Sequence, residues 1–226
     1  MGVYNSYNGA TLGYHTGVLA RSGLLAIGAT NVVPLVAPSG GKIPVIGTNP
    51  ISFAVPAPNG QIAFLVDQST TEVTWTALKR AAEKGEPIPP GWALDAEGNP
   101  TTDAEAGLAG SMASAGGVRG FNIGLLVEVL CAALAGGKLG PDQGSFMDDD
   151  GKPIDNGQFF VAFEPQMLSG GSFDRTITAL VKSITDQDGT RLPNSKREAN
   201  KKRLAKNGII IEHNLFNTLQ KFCLKE

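Results

Sequence analysis

The chain has 226 residues, of which 42% are hydrophobic and 18% are charged, and its formal net charge is −2. This balance is typical of a soluble globular protein and argues against a nucleic-acid-binding surface. The most apolar segment, residues 123–134, is too short to cross a bilayer, and the first residues lack the pattern of a signal peptide. We therefore predict a cytoplasmic protein that does not enter a membrane.

The first third of the chain predicts one helix and three strands. They cover residues 12–22 (helix) and residues 24–29, 51–55 and 62–66 (strands). Gly23 is a typical helix C-cap, and the turn PAPNG predicts that the last two strands pair antiparallel. A second helix is predicted to begin at Thr70 or Thr71, with Glu72 in its first turn, and to end before Gly85.

The rest of the chain alternates irregular and helical segments. Residues 85–110 are rich in proline and predict an extended connection that Trp92 anchors to the domain surface. The predicted elements that follow are a buried helix (121–135), a polar loop (141–157), a strand (158–163), an amphipathic helix (172–184), a basic stretch (196–206) and a last helix (215–222). The 29 glycines and 14 prolines favour a loop-rich mixed α/β protein. Cys131 and Cys223 are predicted to be reduced core thiols.

The usual catalytic motifs are absent from the sequence. It has no G-x-G-x-x-G, no P-loop and no G-x-S-x-G, which argues against a Rossmann site, a Walker site and a serine hydrolase elbow. His15 and His213 fit capping or surface roles better than acid catalysis, and no zinc-ligand spacing surrounds them. The aspartates at 148–150 and 155 invite a calcium interpretation, but the loop lacks the required glycine and glutamate, so we predict a solvated turn and no metal.

Three short features remain as candidate ligand contacts. Residues 8–11 (NGAT) precede a helix, whose N-terminal amides suit a phosphate. Residues 47–50 (GTNP) form either a sharp turn before a core strand or a ligand site that offers Thr48 and Asn49. Arg119, between glycines in GGVRG, suits a phosphate or a carboxylate.

Five segments together resemble the type 2 malate/L-lactate dehydrogenases. They are GTNPISFAVP, VDQST, GEPIPPGWALDAEGNPTTD, AGGVRGFNIGLLVEVL and RLPNSKR, and the match is collinear from about Asn5 to Arg197. The family also contains ureidoglycolate, sulfolactate and 2,3-diketogulonate enzymes and the reductases of pyrroline- and piperidine-2-carboxylate. Its members transfer a hydride between NADPH or NADH and a small 2-oxo or cyclic 2-imino acid, and they are usually homodimers.

The resemblance implies an NAD(P)-binding mixed sheet with helices, unrelated to the Rossmann fold. Carried over by position, the cofactor-binding residues would be Asn8, Gly9, Ala10, Thr11, Leu12, Asp67, Gln68, Ser69, Val118, Arg119, Lys196 and Arg197. The substrate would lie against Thr48, Trp75 and Thr76. For the basic stretch that contains Lys196 and Arg197, an exposed helix face is an equally open interpretation, whereas a phosphate site there would favour NADP.

The resemblance also points to two departures from the family. Relatives carry a histidine acid and a substrate-binding arginine in an N-terminal helical segment. Both are expected to fall upstream of Met1, which aligns inside the cofactor domain of relatives, so no catalytic residue is predicted in this sequence. Ala77 stands where many relatives have an acidic residue.

Two domains and two functions are compatible with the resemblance. The expected domains are an NAD(P)-binding domain (1–195) and a C-terminal helical segment (196–226) of an otherwise missing N-terminal helical domain. Either an oxidoreductase or a catalytically silent remnant that still binds dinucleotide fits these features.

Overall fold

The computed structural model describes residues 1–145 and 153–223. Its strands are β1 (Gly2–Ser6), β2 (Leu25–Thr30), β3 (Ile51–Ala57), β4 (Gln61–Gln68), β5 (Ala93–Leu94), β6 (Pro100–Thr101), β7 (Ser111–Met112) and β8 (Asn156–Phe163). They form a five-stranded sheet in the order β1-β8-β2-β3-β4 and a three-stranded sheet in the order β6-β5-β7, with antiparallel pairing throughout both sheets. The predicted α/β class and the β3–β4 hairpin are confirmed.

Eight helices are distributed along the described chain. They are α1 (Leu12–Arg21), α2 (Trp75–Lys84), α3 (Ala104–Ala109), α4 (Val118–Glu128), α5 (Pro165–Leu168), α6 (Phe173–Thr185), α7 (Ser195–Asn207) and α8 (His213–Cys223), and α4 continues as a π-helical turn over Val129–Leu134. The predicted first helix is confirmed, because α1 ends just before Gly23, whose φ of +88° reverses the chain direction. The helices predicted near 172–184 and 215–222 are also present.

The large sheet carries α1 on one face. Ala20 of α1 packs against Ala54 of β3 and Leu65 of β4, and all three side chains are buried. The hydroxyls of Thr16 and Ser52 lie 2.7 Å apart in a buried hydrogen bond that ties α1 to β3. This packing fixes the N-terminus of α1 against the end of β4, where several predicted site residues lie.

A second core lies under the small sheet. Its buried side chains come from the loops before β3, from α2 and from the segment predicted to be irregular: Val36, Ile46, Leu78, Ile88, Ala93, Ala104 and Met112. Trp92 packs against this core, as predicted. The expectation of an extended connection over 85–110 was only partly right, because short strands and α3 form there once this core supplies a surface on which to pack.

The predicted start of the second helix is wrong by four or five residues. Thr70 N and Oγ1 both donate to Thr48 O, at 2.9 and 3.0 Å, and Glu72 N donates to Ala113 O at 3.0 Å. These tertiary hydrogen bonds keep residues 70–72 out of the helix, and Thr71 forms an isolated β-bridge with Ser114. The helix then begins after Thr74, whose hydroxyl accepts the Ala77 N–H at 3.2 Å.

The helix predicted at 121–135 is not buried on all sides. One face packs against β2 and β8 through Val127 and Cys131, but Leu125, Leu126 and Val129 are 45–51% exposed. Burial raises the pKa of the Cys131 thiol to about 12. Cys223, in contrast, is exposed, so its assignment to the core was wrong; neither thiol is in a disulfide.

The C-terminal helices pack loosely. The predicted inward stripe of α6 is only partly covered, since Leu180 is 45% exposed, and neither α7 nor α8 has a buried residue. The aspartates at 148–150, which prompted the calcium interpretation, lie outside the described residues. Within the described residues, no group of three or more His, Cys, Asp or Glu side chains could hold a metal ion, and no helix is long and apolar enough to span a membrane.

Candidate functional site

Two clefts meet at the loop formed by residues 8–11. The outer cleft, of about 880 Å³, lies between this loop, α1 and the first turns of α7, where Asn194, Arg197 and Lys201 line it. The inner cleft, of about 340 Å³, lies between residues 8–10 and the start of α2, and Thr30, Thr48 and Asn156 line it. Clefts of these sizes hold small-molecule ligands or cofactors in many proteins.

The shared loop is held in one shape by local hydrogen bonds. Asn8 Oδ1 accepts the Ala10 N–H at 2.7 Å, and Ala10 has a φ of +56°. Gln158 Nε2 donates to Tyr7 O at 3.2 Å, and His15 Nε2 lies 3.0 Å from Gly9 O. A Cβ on Gly9 would approach Gln158 Nε2 to 2.8 Å, so a side chain there would displace Gln158. The loop therefore presents backbone directly to both clefts.

The N-terminus of α1 already binds a carboxylate of the protein itself. Asp67 Oδ2 accepts the Gly13 N–H at 2.8 Å and lies 3.7 Å from Arg197 Nη1. A negative charge is favoured here because the first amides of a helix are unpaired and the helix dipole is positive at this end. Asp67 thus links α1, β4 and α7, and its side chain is only 14% exposed. Leu12 lies in the core, at 4% exposure.

The GTNP turn presents Thr48 to the inner cleft but turns Asn49 inward. Asn49 is fully buried at a φ of +31°, and its Nδ2 donates to Glu128 Oε2 at 2.8 Å and to Gly124 O at 2.9 Å. Its Oδ1 accepts the Val32 N–H at 3.2 Å. Of the two open interpretations of this turn, Thr48 fits a ligand contact, whereas Asn49 is structural.

Glu128 anchors this turn from beneath. Its carboxylate is 4% exposed and accepts hydrogen bonds from Asn31 Nδ2 at 3.0 Å, Gly140 N at 2.7 Å and Asn49 Nδ2 at 2.8 Å. A buried carboxylate is tolerated when its oxygens are paired in this way. Sequence reasoning missed this role. The signal was Glu128 itself, the only charged residue between positions 120 and 135.

The polar side chains of the inner cleft divide into paired and unpaired groups. The hydroxyl of Thr30 donates to Gly157 O at 3.1 Å, Thr74 caps α2, and Ser69 Oγ accepts from Thr71 Oγ1 at 3.0 Å. Asn156, in contrast, is 1% exposed, and its Oδ1 has no hydrogen-bond partner in the described part of the chain. No sequence signal had marked Asn156.

Most predicted site residues lie along one connected set of clefts. Asn8, Gly9, Ala10, Thr48, Ser69, Trp75 and Thr76 line the inner cleft, and Asn8 to Thr11 and Arg197 line the outer cleft. A groove of about 860 Å³ along α7 joins Asp67, Gln68, Lys196 and Arg197. Arg119 is exposed and shares a shallow pocket with Gln68 and Ser69. Val118 is 53% exposed and Leu12 is buried, and neither lines any of these four clefts.

Met1 extends the pairing of β1 with β8. The resemblance places the family's histidine and arginine upstream of this residue. Its amino group donates to Phe160 O at 2.7 Å, and Phe160 N donates to Met1 O at 2.9 Å. Met1 is 76% exposed and lines none of these four clefts. Met1 therefore has a backbone role in the sheet and no contact with the candidate site. The expected position of the family's histidine and arginine stays a prediction.

Comparison with known proteins identifies the family. Residues 1–220 match the malate/L-lactate dehydrogenase family. The chain belongs to this family. The sequence resemblance is thereby confirmed, and the GTNP turn, the loop at residues 8–11 and the start of α2 all lie within the matched residues.

Individual relatives within the malate/L-lactate dehydrogenase family differ in their named substrates. The (2R)-3-sulfolactate dehydrogenase (NADP(+)) of Chromohalobacter salexigens is 42% identical over 181 residues, which are 80% of this chain and 54% of that protein. The delta(1)-pyrroline-2-carboxylate reductase 2 of Burkholderia multivorans is 35% identical over 97% of this chain and 65% of its own length. The chain thus spans between about half and two thirds of these relatives.

A solved structure supports the same fold. The sulfolactate dehydrogenase from Methanocaldococcus jannaschii superposes with a TM-score of 0.86 at 29% identity, and the match covers 98% of this chain and 65% of that one. Nearly all of this chain therefore has the fold of that dehydrogenase.

Proposed function

We propose that this protein is an NAD(P)-dependent oxidoreductase that interconverts a small 2-hydroxy acid and its 2-oxo acid, or reduces a cyclic 2-imino acid. The observation that carries the proposal is the meeting of the two clefts at the loop of residues 8–11. A long ligand can lie in the outer cleft and reach the inner cleft past this loop. The family membership supports the same reaction class.

The residues present fit a dinucleotide. The outer cleft offers the cationic side chains of Arg21, Arg197 and Lys201 for phosphates. The inner cleft combines apolar walls, including Val33 and Trp75, with the hydroxyls of Thr48 and Thr76. When bound, the nicotinamide would supply or accept the hydride. The protein's own contribution is to orient the two reactants through Thr48, Thr76 and the loop backbone, and to exclude water from the inner cleft.

A second candidate function is dinucleotide binding without turnover. The inner cleft is lined by no histidine, lysine, arginine, aspartate or glutamate of the described chain. A group that donates a proton to the substrate is therefore not among these lining residues, and a positioned acid typically contributes about 10²–10⁴-fold to the rate. This observation favours slow turnover or none in the protein as it stands.

A direct assay separates the two functions. The protein is mixed with NADH or NADPH and, in turn, with pyruvate, oxaloacetate, 3-sulfopyruvate or pyrroline-2-carboxylate, and absorbance of the reduced nicotinamide is followed. Cofactor binding is measured separately by calorimetry. Turnover with any substrate supports the oxidoreductase, and binding without turnover supports the second candidate. Failure to bind either dinucleotide contradicts both.

The choice of cofactor is also a proposal. The basic face of α7 carries Lys196, Arg197 and Lys201 beside the two larger clefts. A second phosphate on the ribose would gain more from these charges than a free hydroxyl, so we favour NADP over NAD. Arg197 already pairs with Asp67, which reduces but does not cancel this positive charge.

Assembly, location and domain division complete the proposal. The exposed apolar face of α4 supports a homodimer, because exposed patches of this kind commonly mark protein interfaces. Two free cysteines are consistent with the cytoplasm. Residues 1–195 would form the NAD(P)-binding domain and residues 196–226 a separate helical segment, as the lack of buried residues in α7 and α8 suggests.

A further inference from the structure

Asn156 combines deep burial with an unmet hydrogen bond. It is the first residue of β8, is 1% exposed and lines the inner cleft opposite the start of α2. Its Oδ1 has no hydrogen-bond partner within residues 1–145 and 153–223. An unpaired buried polar group destabilises the folded protein, so a function would explain why this side chain is present.

None of the described polar groups near Asn156 forms a hydrogen bond with its Oδ1. Its sequence neighbour Gly157 donates its N–H to Asn31 Oδ1 at 2.9 Å and accepts from Thr30 Oγ1 at 3.1 Å. Ser69 and Thr74, on the far side of the cleft, make their own local hydrogen bonds. None of these neighbours pairs with Asn156 Oδ1, and Asn156 lines the inner cleft, so a ligand there is the candidate partner.

The chemistry of Asn156 Oδ1 limits which groups of a ligand can bind to it. A carbonyl oxygen of an amide accepts hydrogen bonds, so its partner must be an N–H or O–H donor. An ionised 2-oxo acid carries no such proton, whereas a 2-hydroxy acid and a protonated cyclic imine each carry a single donor. A primary carboxamide carries an N–H donor beside a carbonyl acceptor, and an asparagine amide can pair with both in one plane.

We infer that Asn156 is a ligand-binding residue of the inner cleft that binds the carboxamide of the nicotinamide ring. The inference rests on the proposed dinucleotide function, which it deepens by assigning the residue that recognises the reactive ring. It places the nicotinamide ring against the β8 side of the cleft, which leaves Thr48 and Thr76 to the substrate. Its contribution to ligand affinity would then explain why an unpaired, destabilising side chain is present at position 156.

The test compares two dinucleotides and two variants. Nicotinamide adenine dinucleotide phosphate is titrated calorimetrically against its 3-acetylpyridine analogue, in which a methyl group replaces the carboxamide nitrogen and its hydrogens. Asn156→Leu keeps the approximate volume but removes the amide. Ser111→Ala is the matched control, because Ser111 Oγ is also buried and unpaired but lines none of the described clefts.

We expect Asn156→Leu to weaken binding of the natural dinucleotide about tenfold and to weaken binding of the acetyl analogue clearly less, since the analogue keeps only the carbonyl of the pair. Both variants should melt at or above the wild-type temperature, since each removes an unpaired polar group, but Ser111→Ala should keep wild-type affinity. If Asn156→Leu does not fold, Asn156→Ala gives the same comparison of the two dinucleotides.

Three results overturn the inference. Unchanged affinity for the natural dinucleotide in the folded variant rejects it while leaving the proposed function intact. Equal losses for both dinucleotides show that the carboxamide nitrogen is not the partner. A wild-type protein that binds neither NADP nor NAD contradicts the proposed function itself, and this inference fails with it.

Discussion

At the scale of single residues, the buried polar groups decide how the site is built. Asn49 and Glu128 are 0% and 4% exposed, yet they hold the turn that presents Thr48. The sequence marked the turn as polar but could not show which of its side chains faced inward. The hydrogen bond from Asn49 to Glu128, 79 residues further along the chain, turns Asn49 inward.

Replacement of Glu128 tests this role. Glu128→Gln keeps the shape of the side chain. It places an NH₂ group against one of the three groups that now donate a hydrogen bond to the carboxylate. We therefore expect the free energy of unfolding to fall by about 1.5–3 kcal/mol. Urea denaturation measures it. Glu97→Gln, an exposed position with the same charge change, should differ from wild type by less than about 0.5 kcal/mol. Equal stability of the two variants would show that the network is not needed.

At the scale of elements, close packing of α1 on β4 sets the position of the shared loop. A Cβ on Gly13 would lie 2.8 Å from Leu65 Cδ2 and 2.9 Å from Asp67 Oδ2, whereas a Cβ on Gly17 would lie 3.2 Å from Leu65 Cδ1. The first contact pushes against the carboxylate that caps α1. A Cβ on Gly17 requires only a small movement of the Leu65 side chain.

The two glycines therefore predict opposite outcomes for the same substitution. Gly→Ala in a helix gains up to about 1 kcal/mol in propensity, but overpacking costs about 1–3 kcal/mol. We expect Gly13→Ala to lower the melting temperature and Gly17→Ala to leave it unchanged or raise it. Differential scanning calorimetry measures the melting temperatures of both variants and of the wild type. A Gly13→Ala protein as stable as Gly17→Ala would mean that Asp67 and Leu65 move freely.

At the scale of the whole molecule, the exposed face of α4 is an apolar surface that the described chain leaves uncovered. Between residues 120 and 135 the only charged residue is Glu128, which is buried, so the exposed side of the helix beyond Arg119 carries no charge. Leu125 and Val129 are neighbours on this side, one turn apart. The sequence had suggested full burial within the chain. A second chain would give this side a comparable environment.

Assembly in solution tests this account. We expect the wild-type protein to be dimeric in analytical ultracentrifugation and Val129→Glu to shift it to monomer, because a charge would be desolvated at the interface. Ile43→Glu, at a 72% exposed position in a loop, should remain dimeric. A monomeric wild type, or a Val129→Glu protein that stays dimeric, would exclude this helix as the interface.

The sequence alone determined the family, the main strands and most of the residues near the clefts. Local patterns such as Gly23 after a helix, or the PAPNG turn, depend on short-range sterics and are readable without a fold. Only the sheet brings Asn156, the first residue of β8, to the inner cleft, where its Oδ1 has no partner in the described chain. Long-range hydrogen bonds decided the rest: Thr48 and Ala113 hold Thr70 and Glu72 out of α2, and Glu128 turns Asn49 inward. Each joins residues distant in sequence, and their energies exceed the small local preferences that a sequence pattern reports.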